Sequence, residues 1–313
     1  MNYVCLRPKF INRAVEFIKK NEHLCTGLSE CLRWYKKKSE ISLTVEQNSA
    51  SLQSEYFFLL YNNNAIVGLV CLMTNGRILH HFEFSETAKK EDAVACTTQL
   101  LQEFYGEKST YSLFCIAGLA SNTAFLTNCV LKAKIAKIRQ EENYNLMIYK
   151  PTYSECKKFA QIPTGVILHK CSIADLYILS DLQKLYYLEE VVPVGISFNE
   201  INGRKLLRRD LQRQIIFALY DKEKAKKNCK YPVAKAETNA IGFNWCQLGG
   251  IYTVKEFRNR GCATFLSLYI ARTVYKKGYN TVLFVKKNNV PAIHAYKKAQ
   301  FVNNAEFQII YFI

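Results

Sequence analysis

The sequence predicts an α/β protein in which two similar domains follow one another along the chain. Its 313 residues suffice for two domains of roughly 100–200 residues each. Segments with the helical spacing of apolar residues alternate with short apolar runs of strand length in both halves. Both halves also share one order: a strand, a long helix, an apolar strand, a shorter helix and terminal strands. This shared order predicts an internal duplication with a period of about 160 residues.

The first 40 residues are predicted to be helical, and strands follow. Ala14, Phe17 and Ile18 have the spacing of one helical face, and Leu28 and Leu32 continue it. Apolar runs on either side of Asn62-Asn63-Asn64 predict a pair of strands at 56–60 and 66–73. Further along we expect strands at 77–84, 111–117 and 144–149, and helices at 87–105 and 121–130.

A linker is predicted at 151–163, where Pro151 and Pro163 enclose a segment without a clear period. It separates a first domain at 1–150 from a second at 164–313. Ser172, followed by Asp175 three residues later, is typical of a helix start. In the second domain we expect strands at 165–169, 215–220, 232–237, 243–254 and 281–286, helices at 173–190, 199–213, 262–277 and 290–298, and strands to the end.

The cysteines indicate a reducing compartment. There are 12 of them, but no Cys-x-x-Cys pair occurs, and many lie inside apolar runs, where a reduced cysteine acts as a small apolar residue. The N-terminal segment carries Arg7, Pro8 and Lys9 and has no apolar core typical of a secretion signal. We therefore expect a cytoplasmic protein. No apolar run reaches the roughly 18 residues of a membrane-spanning helix, so no membrane partner is expected.

The net charge is +17, and most of the excess lies in the second half. Such a charge attracts polyanions, including nucleic acid and phosphorylated cofactors. One predicted helix carries a cluster of basic residues, namely Arg204, Lys205, Arg208, Arg209 and Arg213. A solvated helix face explains this cluster as well as a nucleic-acid surface does, so nucleic acid is an open but not favoured partner.

A basic turn between a strand and a helix has the features of a phosphate-binding loop. The strand ending at Val254 runs into Arg258-Asn259-Arg260-Gly261-Cys262-Ala263, and an amphipathic helix follows. The first turn of a helix offers N–H groups without helical partners and the positive end of the helix dipole. Gly261 and Ala263 allow the backbone to approach a pyrophosphate closely, and Arg258 and Arg260 add positive charge. By itself, Arg-x-x-Gly-x-Ala is a weak motif.

A second motif follows about 25 residues downstream of this loop. Asn289, Ala292 and Tyr296 are spaced by three and four residues, so a helix would place them on one face. Phe301 comes shortly after this helix. A polar group, a small residue and a phenol would thus face one cleft.

With these two motifs in this order, the chain resembles the GNAT superfamily of N-acetyltransferases over 165–313. The resemblance implies two GNAT-like domains, each with a mixed, mostly antiparallel sheet flanked by helices, and acetyl-CoA as co-substrate. One feature departs from the family, which usually has glycine before the phenylalanine where this chain has Gln300-Phe301. Glycine at that position ends the helix in a left-handed conformation.

The resemblance assigns roles to residues of both motifs. The strand would pair its backbone with the pantetheine arm, the loop would bind the pyrophosphate, and Tyr296 would protonate the leaving thiolate after direct attack of the amine. A backbone N–H of the strand would stabilise the oxyanion. The implied acyl-CoA-binding residues are Ile251, Tyr252, Thr253, Val254, Arg258, Asn259, Arg260, Gly261, Cys262, Ala263, Thr264, Asn289 and Ala292.

The general base is less defined by the sequence. Glu237, at the end of an apolar strand, and Glu190, at the end of the first long helix, are the candidates, although carboxylates at such places are commonly surface or capping groups. His294 lies two residues from Tyr296 and points elsewhere on the helix. His80 and His81 are adjacent and cannot share a strand face. No residue spacing is typical of a metal site, so we expect no metal.

The first half repeats the order of elements without the loop. Its segment Ser85–Asp92 has no glycine and carries acidic residues where a pyrophosphate would lie. Short segments of the two halves are nevertheless alike, such as Ser121–Ala124 and Asn288–Ala292. We expect a degenerate copy that covers the cleft, shapes the substrate pocket or supports a homodimer.

The leading hypothesis is an acetyl-CoA-dependent N-acetyltransferase that acts on a primary amine of a small molecule, an amino acid or a peptide. Two alternatives stay open: a non-catalytic acyl-CoA-binding sensor, and an acetyltransferase directed at RNA or nucleoprotein. The sequence does not define the acceptor.

Overall fold

The computed structural model describes residues 1–42, 54–84, 90–151, 161–192, 197–227 and 230–313. The chain divides into two units. Unit 1 consists of Met1–Asn145 and Ala305–Ile313, and unit 2 consists of Leu146–Asn304. The C-terminal nine residues thus belong to unit 1. The predicted linker at 151–163 lies largely outside the described residues, and the domain boundaries stay a prediction.

Unit 1 follows the predicted order of helices and strands except at its start, where the segment predicted to be helical begins with a strand and divides into two helices. Its elements are β1 (Asn2–Cys5), α1 (Ile11–Lys19), α2 (Thr26–Ser42), β2 (Glu55–Asn62), β3 (Ala65–Met73), β4 (Arg77–Phe82), α3 (Lys90–Tyr105), β5 (Cys115–Leu119), α4 (Ala120–Ala133) and β6 (Ile138–Tyr149), whose last residues lie in unit 2. The sharp turn between β2 and β3 uses Asn63 and Asn64 at positive φ of 45° and 67°, a conformation that asparagine tolerates better than most residues.

Unit 2 repeats this order. Its elements are β7 (Val166–Lys170), α5 (Leu176–Tyr186), a π-helical turn (Tyr187–Val191), α6 (Glu200–Arg213), β8 (Ile216–Asp221), α7 (Lys222–Lys226), β9 (Pro232–Ile241), β10 (Trp245–Thr253), α8 (Cys262–Tyr275), β11 (Asn280–Lys286), α9 (Val290–Lys298) and β12 (Phe301–Phe312), whose last residues lie in unit 1. Short 3-10 turns at Ile173–Asp175 and Lys255–Phe257 precede α5 and follow β10.

The two units pair their strands in the same way. In unit 1, β1, β2, β3 and β4 form consecutive antiparallel pairs, and β5 lies parallel to β4. In unit 2, β7, β8, β9 and β10 form the same antiparallel series, and β11 lies parallel to β10. This common topology confirms the predicted fold class of two similar domains with mostly antiparallel sheets flanked by helices.

Each unit has its own apolar core. In unit 2, α8 buries Leu266 and Ile270 on a sheet that contributes Leu248 and Leu283. In unit 1, Leu100 of α3 and Leu126 of α4 pack with sheet residues that include Leu72, Ile78 and Ile116. The cysteines that the structure describes are free thiols, and most are buried. No described helix is long and apolar enough to cross a membrane.

Several predicted boundaries differ from the structure. The strand expected at 77–84 ends at Phe82, and the helix expected from residue 87 begins at Lys90, with 85–89 outside the described residues. The helix expected at 173–190 begins with a 3-10 turn and ends in the π-helical turn. Asp175 closes a capping box with Ser172 at its start, as the spacing of the two residues predicts.

Candidate functional site

The pairing between the parallel strands β10 and β11 ends partway along their length. They pair from Trp245 with Asn280 to Leu248 with Leu283, whereas β10 continues to Thr253 and β11 to Lys286. Beyond Leu248 the edge of β10 that faces β11 is therefore outside this ladder. Backbone N–H and C=O groups at such an edge can pair with an extended ligand.

A β-bulge lies immediately beyond this point. Gly249 pairs with Glu237 and Tyr252 pairs with Lys235 on β9, so β10 has one residue more than its partner strand. Gly250, within the bulge, has a φ of +56°, which favours glycine. A methyl group at Gly250 would also overlap the Glu237 carboxylate. The bulge thus depends on Gly250 for both its backbone conformation and its space.

The loop after β10 presents the start of α8 to solvent. Asn259 and Gly261 adopt positive φ of 62° and 81°, and the N–H of Phe265 donates to the Gly261 carbonyl at 2.9 Å. The first-turn N–H groups of Cys262, Ala263 and Thr264 have no partner within the helix. A Cβ atom at Gly261 would meet nothing within 4 Å, so the space beside this residue is not filled by other described residues.

Arg258 is held by the protein itself. Its Nε donates to the Thr253 carbonyl at 3.0 Å, and its Nη2 donates to Glu189 Oε2 at 2.8 Å. The Tyr252 hydroxyl donates to the same carboxylate oxygen at 3.0 Å. The hydrogen bond from Arg258 lowers the pKa of Glu189. Arg260, which is exposed, lies over the Phe257 ring at 4.7 Å.

The π-helical turn also contacts the start of α9. Asn289 Nδ2 donates to Glu190 Oε1 at 3.2 Å, and its Oδ1 accepts from the Ala292 N–H at 3.1 Å. Asn289 is therefore the N-cap of α9, which carries Tyr296. The adjacent carboxylates Glu189 and Glu190 thus contact the loop after β10 and the start of α9, respectively.

Tyr296 is buried at 7% exposure. Burial, and then the nearby Glu190 carboxylate, raise the pKa of its phenol. The phenol therefore stays protonated near neutral pH. His294, on the same helix, is exposed.

Glu237 lies inside the unit at 4% exposure, on the same strand as the fully buried Lys235. Burial raises the pKa of Glu237, and the ammonium of Lys235 opposes this effect. Tyr186, at the end of α5, interacts electrostatically with both Glu237 and Tyr296, and a hydrogen bond joins its hydroxyl to the Gly250 backbone. The predicted acid and one predicted base therefore share a neighbour.

Three residues of this region have no role in the sequence-based prediction. They are Lys235, Tyr186 and Glu189. The run Val233–Glu237 does show Lys235 and Glu237 at alternate positions of one strand, which places them on the same face. No sequence signal indicates that Glu189 contacts a loop about 69 residues away.

The corresponding region of unit 1 is filled by its own side chains. The β3–β4 pairing from Gly68–Phe82 to Leu72–Ile78 is continuous and has no bulge. A Cβ atom at Gly118 would overlap the His80 ring, so this imidazole covers β5 where a ligand would lie. His80 Nε2 is 3.1 Å from Thr123 Oγ1, and Asn122 Nδ2 donates to the Phe82 carbonyl at 3.1 Å. The Gly-free loop segment 85–89 lies outside the described residues.

Within the part of the chain that the structure describes, no three His, Cys, Asp or Glu side chains are grouped to hold a metal ion.

Gln300, in place of the usual glycine, has a φ of +69°. It therefore ends α9 in the left-handed conformation despite its side chain, at a cost of about 1 kcal/mol.

Comparisons with known proteins agree with this architecture. The family model of FR47-like proteins matches residues 233–308, which include the bulge, the loop and α9. No curated protein sequence matches the chain.

Solved structures resemble the chain over almost its full length. A Drosophila protein of 11% identity aligns over 99% of this chain and 98% of its own with a TM-score of 0.69. A GCN5-related N-acetyltransferase from Sphaerobacter thermophilus, at 10% identity, aligns over 99% and 95% with a TM-score of 0.57. A tandem GNAT protein from the clavulanic acid biosynthesis pathway, at 8% identity, aligns over 99% and 97% with a TM-score of 0.56. The resemblance to the GNAT superfamily is confirmed, and at these identities it concerns the fold.

Proposed function

We propose that this chain is an acyl-CoA-dependent N-acyltransferase, with acetyl-CoA as donor and a primary amine of a small molecule, amino acid or peptide as acceptor. The observation that carries the proposal is the edge of β10 beyond Leu248, which lies outside the ladder with β11. It includes the bulge at Gly250, which lies against the buried Glu237, and it continues into the loop before the exposed Gly261 at the start of α8. A ligand with an anionic end and an extended arm fits such a strand edge and loop.

The loop and the strand would divide the donor between them. The N–H groups at the start of α8 and the side chain of Arg260 would bind the pyrophosphate. The backbone of 251–254 would pair with the amides of the pantetheine arm. Arg258 would act by holding the loop, since its guanidinium already contacts Glu189 and the Thr253 carbonyl.

The reaction would be direct attack of the amine nitrogen on the thioester carbon. Glu237 would accept the proton of the acceptor ammonium, directly or through water, and a backbone N–H of β10 would stabilise the oxyanion. The carbon–sulfur bond would then break, the hydroxyl of Tyr296 would donate its proton to the thiolate, and the second proton of the amine nitrogen would pass through water to restore the phenol. A thiol has an ordinary pKa of about 8.5, so the thiolate leaves readily and needs only modest assistance from Tyr296.

Glu237 is the favoured base over Glu190. Burial raises the pKa of Glu237 from the ordinary range of a carboxyl group, which brings it closer to the pH at which proton transfer is efficient. Glu190 already accepts a hydrogen bond from Asn289, so we assign it to positioning α9.

The basic helix α6 gives less support to an acceptor of nucleic acid. Arg209 Nη2 lies 2.9 Å from Asp210, and Arg204 Nη2 lies 3.9 Å from Glu200. Two of the five basic residues thus have carboxylate neighbours on the same helix, which is typical of a solvated face.

An acceptor screen tests the proposed function. The full chain is incubated with acetyl-CoA and panels of small amines, amino acids, peptides and RNA, and free thiol is detected with mass analysis of the product. Amine-dependent thiol release with an acetylated product supports an N-acyltransferase. Tight acetyl-CoA binding without turnover on any acceptor would instead support a sensor.

A further inference from the structure

Strand β9 carries a second ionisable group on the buried face that holds Glu237. Lys235 is two residues earlier, so both side chains leave the strand on one side. Lys235 is 0% exposed, and its Nζ lies 3.2 Å from Glu237 Oε2. The mechanism described above does not use Lys235.

The surroundings of Lys235 are those of an incompletely satisfied charge. Its Nζ lies 5.2 Å from the centre of the Tyr186 ring, and 2.7 Å from the point that a Cβ atom at Gly250 would occupy. Among the described residues, neither Nζ nor Glu237 Oε2 has a hydrogen bond of good geometry. The ion pair therefore keeps hydrogen-bonding capacity for water or an acceptor at the bulge.

Stability does not explain such a pair. A buried ion pair costs several kcal/mol of desolvation per ion, and well-packed apolar residues of similar volume are often as stable or more so. An apolar strand with lysine and glutamate on its buried face is therefore better explained by chemistry at the site than by packing.

We propose that Lys235 is a positioning residue that holds Glu237 ionised and aimed at the bulge, so that the carboxylate can accept the acceptor's proton. This inference rests on the proposed function. When Glu237 takes up a proton, its attraction to Lys235 is lost, which favours return of that proton to solvent and readies the carboxylate for the next turnover.

Other ionisable groups near Glu237 do not replace this contribution. From α6, Asp210 and Arg209 act on Glu237 with opposite signs. Tyr186, Tyr187 of the π-helical turn and Cys171 before α5 also interact with Glu237, and burial raises the pKa of each. These three groups are neutral near pH 7. Lys235 is thus the charged residue in direct contact with the Glu237 carboxylate.

The test is the pH profile of kcat/KM for acetyl-CoA and the best amine acceptor, measured on the full chain. We expect Lys235→Met and Lys235→Gln to move the acid limb of the profile to higher pH by about one to three units. The reason is that the pKa of a carboxyl group rises by that amount when it loses a cationic neighbour. Activity near pH 7 should fall at least tenfold and recover in part at alkaline pH. Lys235→Arg, which keeps the charge, should leave the acid limb in place.

A merely structural lysine would give a different result. It would lower activity at all pH values without moving the limb, and Lys235→Arg would be as impaired as Lys235→Met. An unmoved acid limb, or equal impairment of Lys235→Arg and Lys235→Met, overturns the inference if the variants are folded. In either case, turnover by the wild type leaves the proposed function intact. A wild-type chain that acetylates no amine would instead overturn the proposed function. Two neutral replacements are used so that misfolding of one leaves the other as the test.

Discussion

Glu189 accepts a hydrogen bond of 2.8 Å from Arg258 and so joins the π-helical turn Tyr187–Val191 to the loop after β10. The same carboxylate oxygen accepts from the Tyr252 hydroxyl. A residue expected from the sequence to contact a pyrophosphate is therefore engaged by its own protein. π-Helical turns occur often at functional sites, and this one holds both sides of the candidate site.

Loss of the Glu189–Arg258 ion pair should have a small effect on acetyl-CoA binding, and variants of either residue should show it. Both side chains are 37% exposed, and exposed pairs contribute about 0.2–1 kcal/mol. We expect Arg258→Ala to raise the KM for acetyl-CoA by less than about fivefold. Glu189→Ala should act similarly, and the double variant should be less impaired than the sum of the two single variants, because both of these lose the same ion pair. An increase of a hundredfold in Arg258→Ala alone would indicate direct contact with the pyrophosphate.

Gly261→Ala should weaken donor binding more than its strain explains. The new methyl group would enter the open space at the start of α8, and we expect a KM for acetyl-CoA at least about tenfold higher, the equivalent of about 1.4 kcal/mol. Gly278→Ala is the matched control, since Gly278 has a φ of +86° and equally open space but lies after α8. Both variants should lose similar thermal stability. Equal KM values would contradict the phosphate-binding role of the loop.

Tyr296→Phe should reduce kcat by about 100-fold and leave the KM for acetyl-CoA nearly unchanged, because it removes one proton donor and no donor-binding group. Tyr220→Phe is the control. Tyr220 is also buried in unit 2, and its hydroxyl has no hydrogen-bond partner among the described residues. Wild-type turnover by Tyr296→Phe would exclude this phenol as the acid.

Unit 1 should lose stability in mild acid. Burial, and then the neighbouring His81, lower the pKa of His80 to about 3, whereas an unfolded histidine titrates near 6.5. The unfolded chain therefore binds more protons between these values, so the contribution of neutral His80 to stability falls as pH decreases from about 6.5 towards 3.

At pH 5 the free energy of unfolding should be lower by about 2 kcal/mol because of His80. Calorimetric unfolding at pH 8 and pH 5 measures this difference in stability. The difference should be smaller in His80→Gln than in the wild type. Replacing the exposed His294 with Asn should leave the difference unchanged. A wild-type protein with equal stability at both pH values would contradict the buried, neutral state of His80.

Local patterns predicted much of the fold and the secondary-structure elements of the candidate site. The basic turn at 258–264 and the spacing of Asn289, Ala292 and Tyr296 are readable because loop and helix chemistry depend on near neighbours. The repeated order of elements predicted two similar units for the same reason.

Contacts between segments that are distant in the chain could not be predicted from the sequence. Lys235 and Glu237 occupy alternate positions of one strand, which the sequence shows. Their burial, however, depends on packing with Tyr186 and Gly250, which belong to other segments of the chain. The Glu189–Arg258 pair depends on the end of α5 continuing as a π-helical turn, and the segment Tyr187–Val191 continues a helical pattern in the sequence. The β10 bulge likewise depends on register with β9, which a single strand does not encode.

We propose one acyl-CoA site per chain, beside β10 of unit 2 beyond its ladder with β11. Calorimetric titration of the full chain with acetyl-CoA, in the absence of amine, tests this proposal. We expect one molecule bound per chain, and weaker binding in Gly261→Ala than in Gly278→Ala. Two molecules per chain, or binding that Gly261→Ala leaves unchanged, would contradict this location, and absence of binding by the wild type would contradict the claim as a whole.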